Sequence, residues 1–192
     1  MKHKITVGIV ATVFILLLVA AGILYQTLGS QVDKGSNLSQ TGAAAPQGNA
    51  SAKKIEAPNL AVLDRDGNTV RLNDYLGKPI VLNFWASWCG PCQTEMPDFQ
   101  AKYEELGDEV QFFMVNITDG NRETIDTASA FIDEKGYDFP IFFDTKDLAA
   151  TAFSVYSYPT SFFIDDEGFI VAKAIGMLDA ELLQEGIDMI RE

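Results

Sequence analysis

Two cysteines, Cys89 and Cys92, are the residues most suited to chemistry in this sequence, and the chain contains no other cysteine. They are separated by Gly90 and Pro91, which makes a Cys-x-x-Cys pair. A structural zinc site needs four ligands, and the chain offers only one histidine, His3, in addition to these thiols. Haem attachment needs a histidine directly after the second cysteine, and that position holds a glutamine.

A purely structural disulfide is also a poor explanation of the pair. It would close a loop of about four residues, which constrains little entropy in the unfolded chain. The pair therefore predicts reversible thiol–disulfide chemistry. The redox-active disulfide Cys89–Cys92 would be the only reactive group, with no metal and no bound cofactor.

The elements around the pair indicate how the two thiols are positioned. Residues 79–85 form a continuous apolar run, which is typical of a central strand buried on both faces. A helix is expected from about Pro91 to Leu106. Its apolar residues recur at helical spacing and include Cys92, Met96, Phe99, Tyr103 and Leu106. This pattern places Cys92 on the buried face and Cys89 at the exposed N-terminal tip.

That placement divides the chemistry between the two thiols. Unpaired N–H groups and the helix dipole stabilise a thiolate at the N-terminus, so Cys89 is the predicted nucleophile. Pro91 suits the first helical turn, where its missing N–H is not needed. Cys92, one turn further on and buried, is predicted to resolve the mixed disulfide.

The rest of the domain reads as alternating strands and helices. Asp66-Gly67 is a hairpin turn signal between two short strands. We predict further strands at 110–115, 139–143, 160–164 and 169–172, and helices at 121–135, 147–153 and 180–190. The fold class is therefore α/β, with a mixed central sheet flanked by helices.

The N-terminal part has a different composition. Residues 5–24 are uncharged and apolar, and as a helix they would span about 30 Å, the thickness of a hydrocarbon core. Lys2 and Lys4 before this run favour a cytoplasmic N-terminus. We predict a single-pass membrane anchor in 1–25, a flexible linker in 26–54 and an extracytoplasmic domain in 55–192. A cleaved signal peptide is the alternative for the first segment.

The charge of the domain excludes one class of function. Residues 55–192 contain nine basic and 26 acidic residues, a net charge of −17. Binding to nucleic acid is not expected, because phosphate contacts need a basic patch.

The segment from Asn83 to Cys92 resembles the thioredoxin superfamily signature. Pro97, five residues after Cys92, and Tyr158-Pro159-Thr160 also match, the latter resembling the cis-proline loop opposite the active site. The sequence is most similar to the membrane-anchored TlpA/ResA-like thiol–disulfide oxidoreductases. Three features support that similarity: the N-terminal anchor, the N-terminal β-hairpin and an inserted helix-plus-strand at about 119–144.

The resemblance implies roles for further residues. Thioredoxins carry a buried aspartate where this chain has Asn83. The ResA-like group has an acidic residue three positions after the second cysteine, which is Glu95 here and is expected to exchange a proton with Cys92. An exposed glutamate favoured by the helix dipole is the alternative. Trp88 is expected to face the substrate, and Tyr158 and Thr160 to offer backbone groups to a bound peptide.

The resemblance also implies a direction of reaction. We expect a reductase of protein disulfides, with apocytochrome c or oxidised surface proteins among its substrates and a membrane protein as electron donor. A disulfide-forming oxidase or isomerase with the same fold is one alternative. A copper-binding assembly factor is another, but it would need histidine or methionine near the cysteines.

Overall fold

The computed structural model describes residues 37–40 and 54–191. The predicted anchor, and the predicted linker apart from 37–40 and Lys54, lie outside the described residues. Within the described ranges, no helix is both long enough and apolar enough to cross a bilayer.

The described residues form one mixed sheet of nine strands. The strands are β1 Asn37–Gln40, β2 Ile55–Glu56, β3 Ala61–Leu63, β4 Thr69–Arg71, β5 Ile80–Trp85, β6 Gln111–Ile117, β7 Ile141–Asp144, β8 Thr160–Ile164 and β9 Phe169–Ile175. Their spatial order is β1-β9-β8-β5-β6-β7-β3-β4, and β2 also pairs with β9. Strands β5, β6 and β7 are parallel to one another. Strand β8 runs antiparallel to β5, and β9 runs antiparallel to β8.

Four α-helices connect or follow these strands: α1 Gly90–Leu106, α2 Ile125–Lys135, α3 Leu148–Ala152 and α4 Ala180–Ile190. A 3-10 turn covers Leu72–Tyr75. The predicted order of elements is confirmed from β3 to α4, including the hairpin β3–β4 and the insertion of α2 and β7, whereas β1 and β2 were not predicted. Gly67 has a φ of 80° in the hairpin turn, a conformation that glycine adopts without steric cost.

The sheet separates two apolar cores because side chains alternate along its strands. In β5, Val81 and Trp85 pack on the side of α1, α2 and α4, whereas Leu82 and Phe84 pack on the side of α3 and the 3-10 turn. Asn83 has the same parity as Val81 and Trp85. This buried amide therefore points towards α1, the helix that begins at the cysteine pair.

Several elements differ from the prediction. Strand β7 begins at Ile141 rather than 139, and β9 ends at Ile175 rather than 172. Helix α2 begins at Ile125 rather than 121, because the preceding residues form a turn in which Asp119 Oδ1 accepts the N–H groups of Asn121 and Glu123. Thr124 then caps the helix by accepting the N–H of Thr127. Strand β1 lies inside the predicted linker and pairs antiparallel with β9.

Candidate active site

The cysteine pair lies where β5 leads into α1. Cys89 is the N-cap of α1, and its Sγ accepts a hydrogen bond from the N–H of Cys92 at 3.2 Å. The two thiols form a disulfide, with their Cα atoms 5.2 Å apart. Gly90 and Pro91 are the first two residues of the helix and are exposed. After reduction, the same N–H group and the helix dipole would stabilise a thiolate at Cys89.

The two thiols differ in exposure less than predicted. Cys92 is completely buried, as expected, but Cys89 is only 5% exposed rather than open at the helix tip. The helical pattern places Cys89 correctly at the N-terminus. It does not show that the residue joins the apolar core on the α1 face, against which Tyr158 also packs. The attacking sulfur is therefore presented through a narrow opening.

Aromatic side chains surround that opening. Trp88 is 37% exposed and meets Tyr158 edge to face, with 6.3 Å between ring centroids. The guanidinium of Arg122 lies over the Trp88 ring, 3.8 Å from its centroid. This is a close cation–π geometry. Trp85, by contrast, is fully buried and packs against Phe131.

The loop before β8 completes the opening. The Tyr158–Pro159 peptide bond is cis, as the resemblance implied. Pro159 is buried, and its carbonyl accepts the N–H of Gly176 at 2.9 Å. Thr160 is fully buried, and its hydroxyl donates to the carbonyl of Ser157 at 2.8 Å. The Thr160 side chain thus stabilises the loop through a buried hydrogen bond.

Glu95 lies inside the protein, one turn after Cys92, and is only 1% exposed. Its Oε1 accepts a hydrogen bond from Asn83 Nδ2 at 2.9 Å, and its Oε2 accepts one from the N–H of Leu178 at 2.9 Å. Burial raises the pKa of Glu95 to about 8, although these two hydrogen bonds favour the ionised form. The alternative of an exposed first-turn glutamate is wrong.

Asn83 connects Glu95 to the sheet. Its Nδ2 also donates to the hydroxyl of Ser161 on β8, at 2.9 Å. Its Oδ1 is buried and has no hydrogen-bond partner among the described residues. The amide therefore holds the Glu95 carboxyl in place without supplying a second titratable group.

Two residues near the cysteines were missed by the sequence analysis. Arg122 contacts Trp88, and the fully buried carboxylate of Glu123 accepts hydrogen bonds from Ser87. Both are more than 30 positions away in sequence, so no local pattern reveals them. The pKa of the nearby Asp119 carboxyl is lowered mainly by hydrogen bonds from the N–H groups of Glu123 and Asn121, and to a smaller extent by the Arg122 charge.

This arrangement can carry out thiol–disulfide exchange. A thiolate at Cys89 attacks a disulfide, one substrate sulfur leaves, and Cys92 then attacks Cys89 Sγ to release the second substrate sulfur. The Cys92 thiol must lose a proton in the second step. Glu95 can hold or return a proton near neutral pH because its pKa is raised to about 8. The fold and the site together define a thioredoxin-like thiol–disulfide oxidoreductase.

Comparison with known proteins agrees with this class. A family model described as the AhpC/TSA family matches residues 54–173. The thioredoxin-like protein YneN of Bacillus subtilis is 32% identical over 134 residues, which cover 70% of this chain and 78% of YneN. The thiol–disulfide oxidoreductase ResA of Bacillus thuringiensis is 36% identical over 132 residues, covering 67% and 73% of the two chains.

Solved structures show the same fold. StoA from Bacillus subtilis is 30% identical, with a TM-score of 0.58, and the match covers 68% of this chain and 98% of StoA. A putative DsbE from Chlorobium tepidum is 31% identical, with a TM-score of 0.63 and coverage of 73% and 98%. The chain belongs to the AhpC/TSA family and, within it, to the thioredoxin-like thiol–disulfide oxidoreductases related to ResA.

Proposed function

We propose that this protein reduces disulfides in proteins outside the cytoplasm, receiving its electrons from a membrane protein. In this cycle, Cys89 attacks the substrate disulfide and Cys92 releases the reduced product. The resulting Cys89–Cys92 disulfide is then reduced by the donor. The observation that carries the proposal is the N-cap position of Cys89, whose sulfur accepts the N–H of a completely buried Cys92.

The charges at the site support this direction of electron flow. A strong oxidant owes its potential to a reduced form that its surroundings stabilise. Here the residues between the cysteines are uncharged, and the guanidinium of Arg122 lies over the Trp88 ring rather than beside a cysteine in any recorded contact of the described residues. With the helix N-terminus as the main group that favours the Cys89 thiolate, the reduced form gains limited stabilisation, which is typical of reducing members of the fold.

The surface around Cys89 suits an extended peptide. Trp88 and the half-buried Tyr158 offer apolar area, and Met177 adds a further exposed side chain next to Leu178. No main-chain hydrogen bond within the described residues involves Tyr158. Its N–H and C=O groups are therefore free to pair with a substrate strand, while the side chains on either side provide contacts.

The extracytoplasmic location rests on the N-terminal sequence. Lysines precede the uncharged run 5–24, which is long enough to cross a bilayer. A membrane-impermeant thiol reagent tests this part of the proposal. In intact cells treated first with a reductant, it should modify the cysteines, whereas protection until the cells are lysed would place the domain in the cytoplasm.

The redox potential tests the direction. The full-length protein in detergent is equilibrated with dithiothreitol or glutathione buffers, and the fraction of Cys89–Cys92 disulfide is measured by thiol alkylation. We expect a potential nearer the roughly −270 mV of thioredoxin than the roughly −120 mV of a strong oxidase. A value above about −180 mV, in the range of disulfide isomerases, would favour the oxidase or isomerase alternative.

A further inference from the structure

Glu123 is a second buried carboxylate near the cysteines, and the exchange cycle described above does not use it. The residue is 0% exposed. Its Oε1 accepts hydrogen bonds from the N–H of Ser87 at 2.9 Å and from Asn116 Nδ2 at 2.7 Å, and its Oε2 accepts one from Ser87 Oγ at 2.7 Å. Burying a carboxylate is costly unless hydrogen bonds compensate it, and here three donors from two residues do so.

The carboxylate is itself held in a fixed position. Asn116 is oriented by Thr118, whose hydroxyl donates to Asn116 Oδ1 at 2.8 Å. The N–H of Glu123 donates to Asp119 Oδ1 at 3.0 Å, and its carbonyl accepts the N–H of Gly120 at 2.9 Å. The turn that precedes α2 therefore presents Glu123 to the loop between β5 and α1.

The residue that Glu123 binds lies two positions before the nucleophile. The carboxylate takes both the N–H and the hydroxyl of Ser87, and Gln93 Nε2 donates to the Ser87 carbonyl from the first turn of α1. All hydrogen-bonding groups of Ser87 are thus engaged. The loop closes with the N–H of Cys89 donating to the carbonyl of Ala86 at 3.1 Å.

The same turn also contacts the residue between Ser87 and Cys89. Arg122, next to Glu123, places its guanidinium over the Trp88 ring. The two residues directly before the nucleophile are therefore both held by the segment 119–124. This segment belongs to the insertion rather than to β5 or α1, the elements that carry the cysteines.

From this geometry we infer that Glu123 is a positioning residue for Cys89. By fixing Ser87, it holds Cys89 Sγ at the N-terminus of α1, where the N–H of Cys92 and the helix dipole stabilise the thiolate. The inference rests on the proposed function in taking Cys89 as the nucleophile, but it does not depend on the direction of electron flow.

The test measures the reactivity of Cys89 in the full-length protein in detergent, in a Cys92→Ser background that leaves one thiol. The rate of alkylation by iodoacetamide is followed against pH, which gives the pKa of Cys89 without any substrate or donor. Glu123→Ala leaves three donors without acceptors, so Ser87 is released. We expect the apparent pKa of Cys89 to rise by about one unit and the alkylation rate at pH 7 to fall about five- to tenfold, which is the loss of thiolate that such a rise causes when the starting pKa is 7 or above.

Glu123→Gln distinguishes the effect of the hydrogen bonds that position Ser87 from the effect of the negative charge of Glu123. The glutamine oxygen can still accept from Ser87 N–H and Asn116, and its amide can donate to the Ser87 hydroxyl, which rotates to accept. This variant should remain within about threefold of the parent rate. If Glu123→Gln were as impaired as Glu123→Ala, the charge rather than the position would matter, and the inference would be overturned.

Gln100→Ala is the matched control. Gln100 also joins α1 to the insertion, since its Oε1 accepts the N–H of Asp138 at 2.8 Å, but it lies two turns beyond Cys92. It should lower stability without moving the pKa of Cys89. If Gln100→Ala and Glu123→Ala shifted the apparent pKa of Cys89 equally, the cause would be a general loss of packing between α1 and the insertion, and the inference would be refuted.

A second variant keeps the test decisive if Glu123→Ala does not fold. Ser87→Ala removes only the hydroxyl that donates to Glu123 Oε2. We expect a smaller change in the same direction. An unchanged Cys89 pKa and alkylation rate in folded Ser87→Ala would then overturn the inference. Failure of the reductase proposal would instead appear in the redox potential of the unsubstituted protein.

Discussion

The buried carboxyl of Glu95 should make the stability of this protein depend on pH in a specific way. Burial raises the pKa of Glu95 from 4.5 to about 8 in the folded state. In the unfolded chain, the carboxyl regains its ordinary pKa. Between these two values the folded state binds more protons than the unfolded state, so the free energy of unfolding must fall as pH rises.

The size of the effect follows from that difference. A shift of one pKa unit corresponds to about 1.4 kcal/mol, so the stabilisation from the neutral carboxyl should decline by about 4 kcal/mol between pH 5 and pH 9. The decline should be steepest between the two pKa values and should level off above pH 8. Glu95→Gln removes the titration. The free energies of unfolding of the parent and Glu95→Gln should therefore diverge across this range, with the parent becoming the less stable protein.

The assay is urea unfolding of the oxidised full-length protein in detergent, followed by tryptophan fluorescence at several pH values. The glutamine can keep the hydrogen bond from Leu178, and the Asn83 amide can turn so that its unpartnered Oδ1 accepts from the new amide. Glu181→Gln on α4 controls for the loss of one exposed negative charge. Parallel pH curves for the parent and Glu95→Gln would refute a buried, neutral Glu95.

Three further results are expected. Asn83→Leu removes the donor to Glu95 Oε1, so the pKa of Glu95 should rise further; a carboxyl NMR titration with an unchanged or lower midpoint would contradict this. Gly186→Ala places a methyl group within 2.1–2.5 Å of the Phe163 ring, so the urea midpoint should fall by an amount worth about 1–3 kcal/mol, despite a gain of about 1 kcal/mol in helix propensity. A midpoint at or above that of the parent would show that Phe163 can move aside. Arg122→Ala uncovers the Trp88 ring, so the exposure of Trp88 to an acrylamide quencher should increase; unchanged quenching would contradict the cation–π contact.

Local patterns predicted those parts of the fold that local physics determines. The helical spacing of apolar residues identified α1. The predicted helix 180–190 is also present, and it begins after Asp179, a typical N-cap residue whose side chain accepts the N–H of Leu182. Strand β1 was missed because its polar sequence shows no alternation. It exists only through pairing with β9, which lies more than 130 residues further along the chain.

The active site likewise contains features that the local sequence determines and features that depend on contacts between distant residues. The cysteine pair and the cis-proline loop are encoded in short segments that resemble a known family. The burial of Glu95 depends on the Leu178 loop covering it, and Leu178 is 83 positions away. Glu95 is not one of the apolar residues whose helical spacing predicts the buried face of α1. The link between Glu123 and Ser87 spans 36 positions and two elements, so no spacing rule could have predicted it.

The most direct test of the central claim is to trap the covalent intermediate. Reduced Cys92→Ser and Cys89→Ser variants of the full-length protein are each mixed with oxidised insulin, quenched with acid and separated on a non-reducing gel. We expect Cys92→Ser to accumulate a mixed disulfide with insulin, because Cys89 attacks the insulin disulfide and no second thiol is present to resolve the adduct. Cys89→Ser should form almost none, because Cys92 is completely buried. Adducts of Cys89→Ser at a similar yield, or none with Cys92→Ser, would contradict the assignment of Cys89 as the nucleophile.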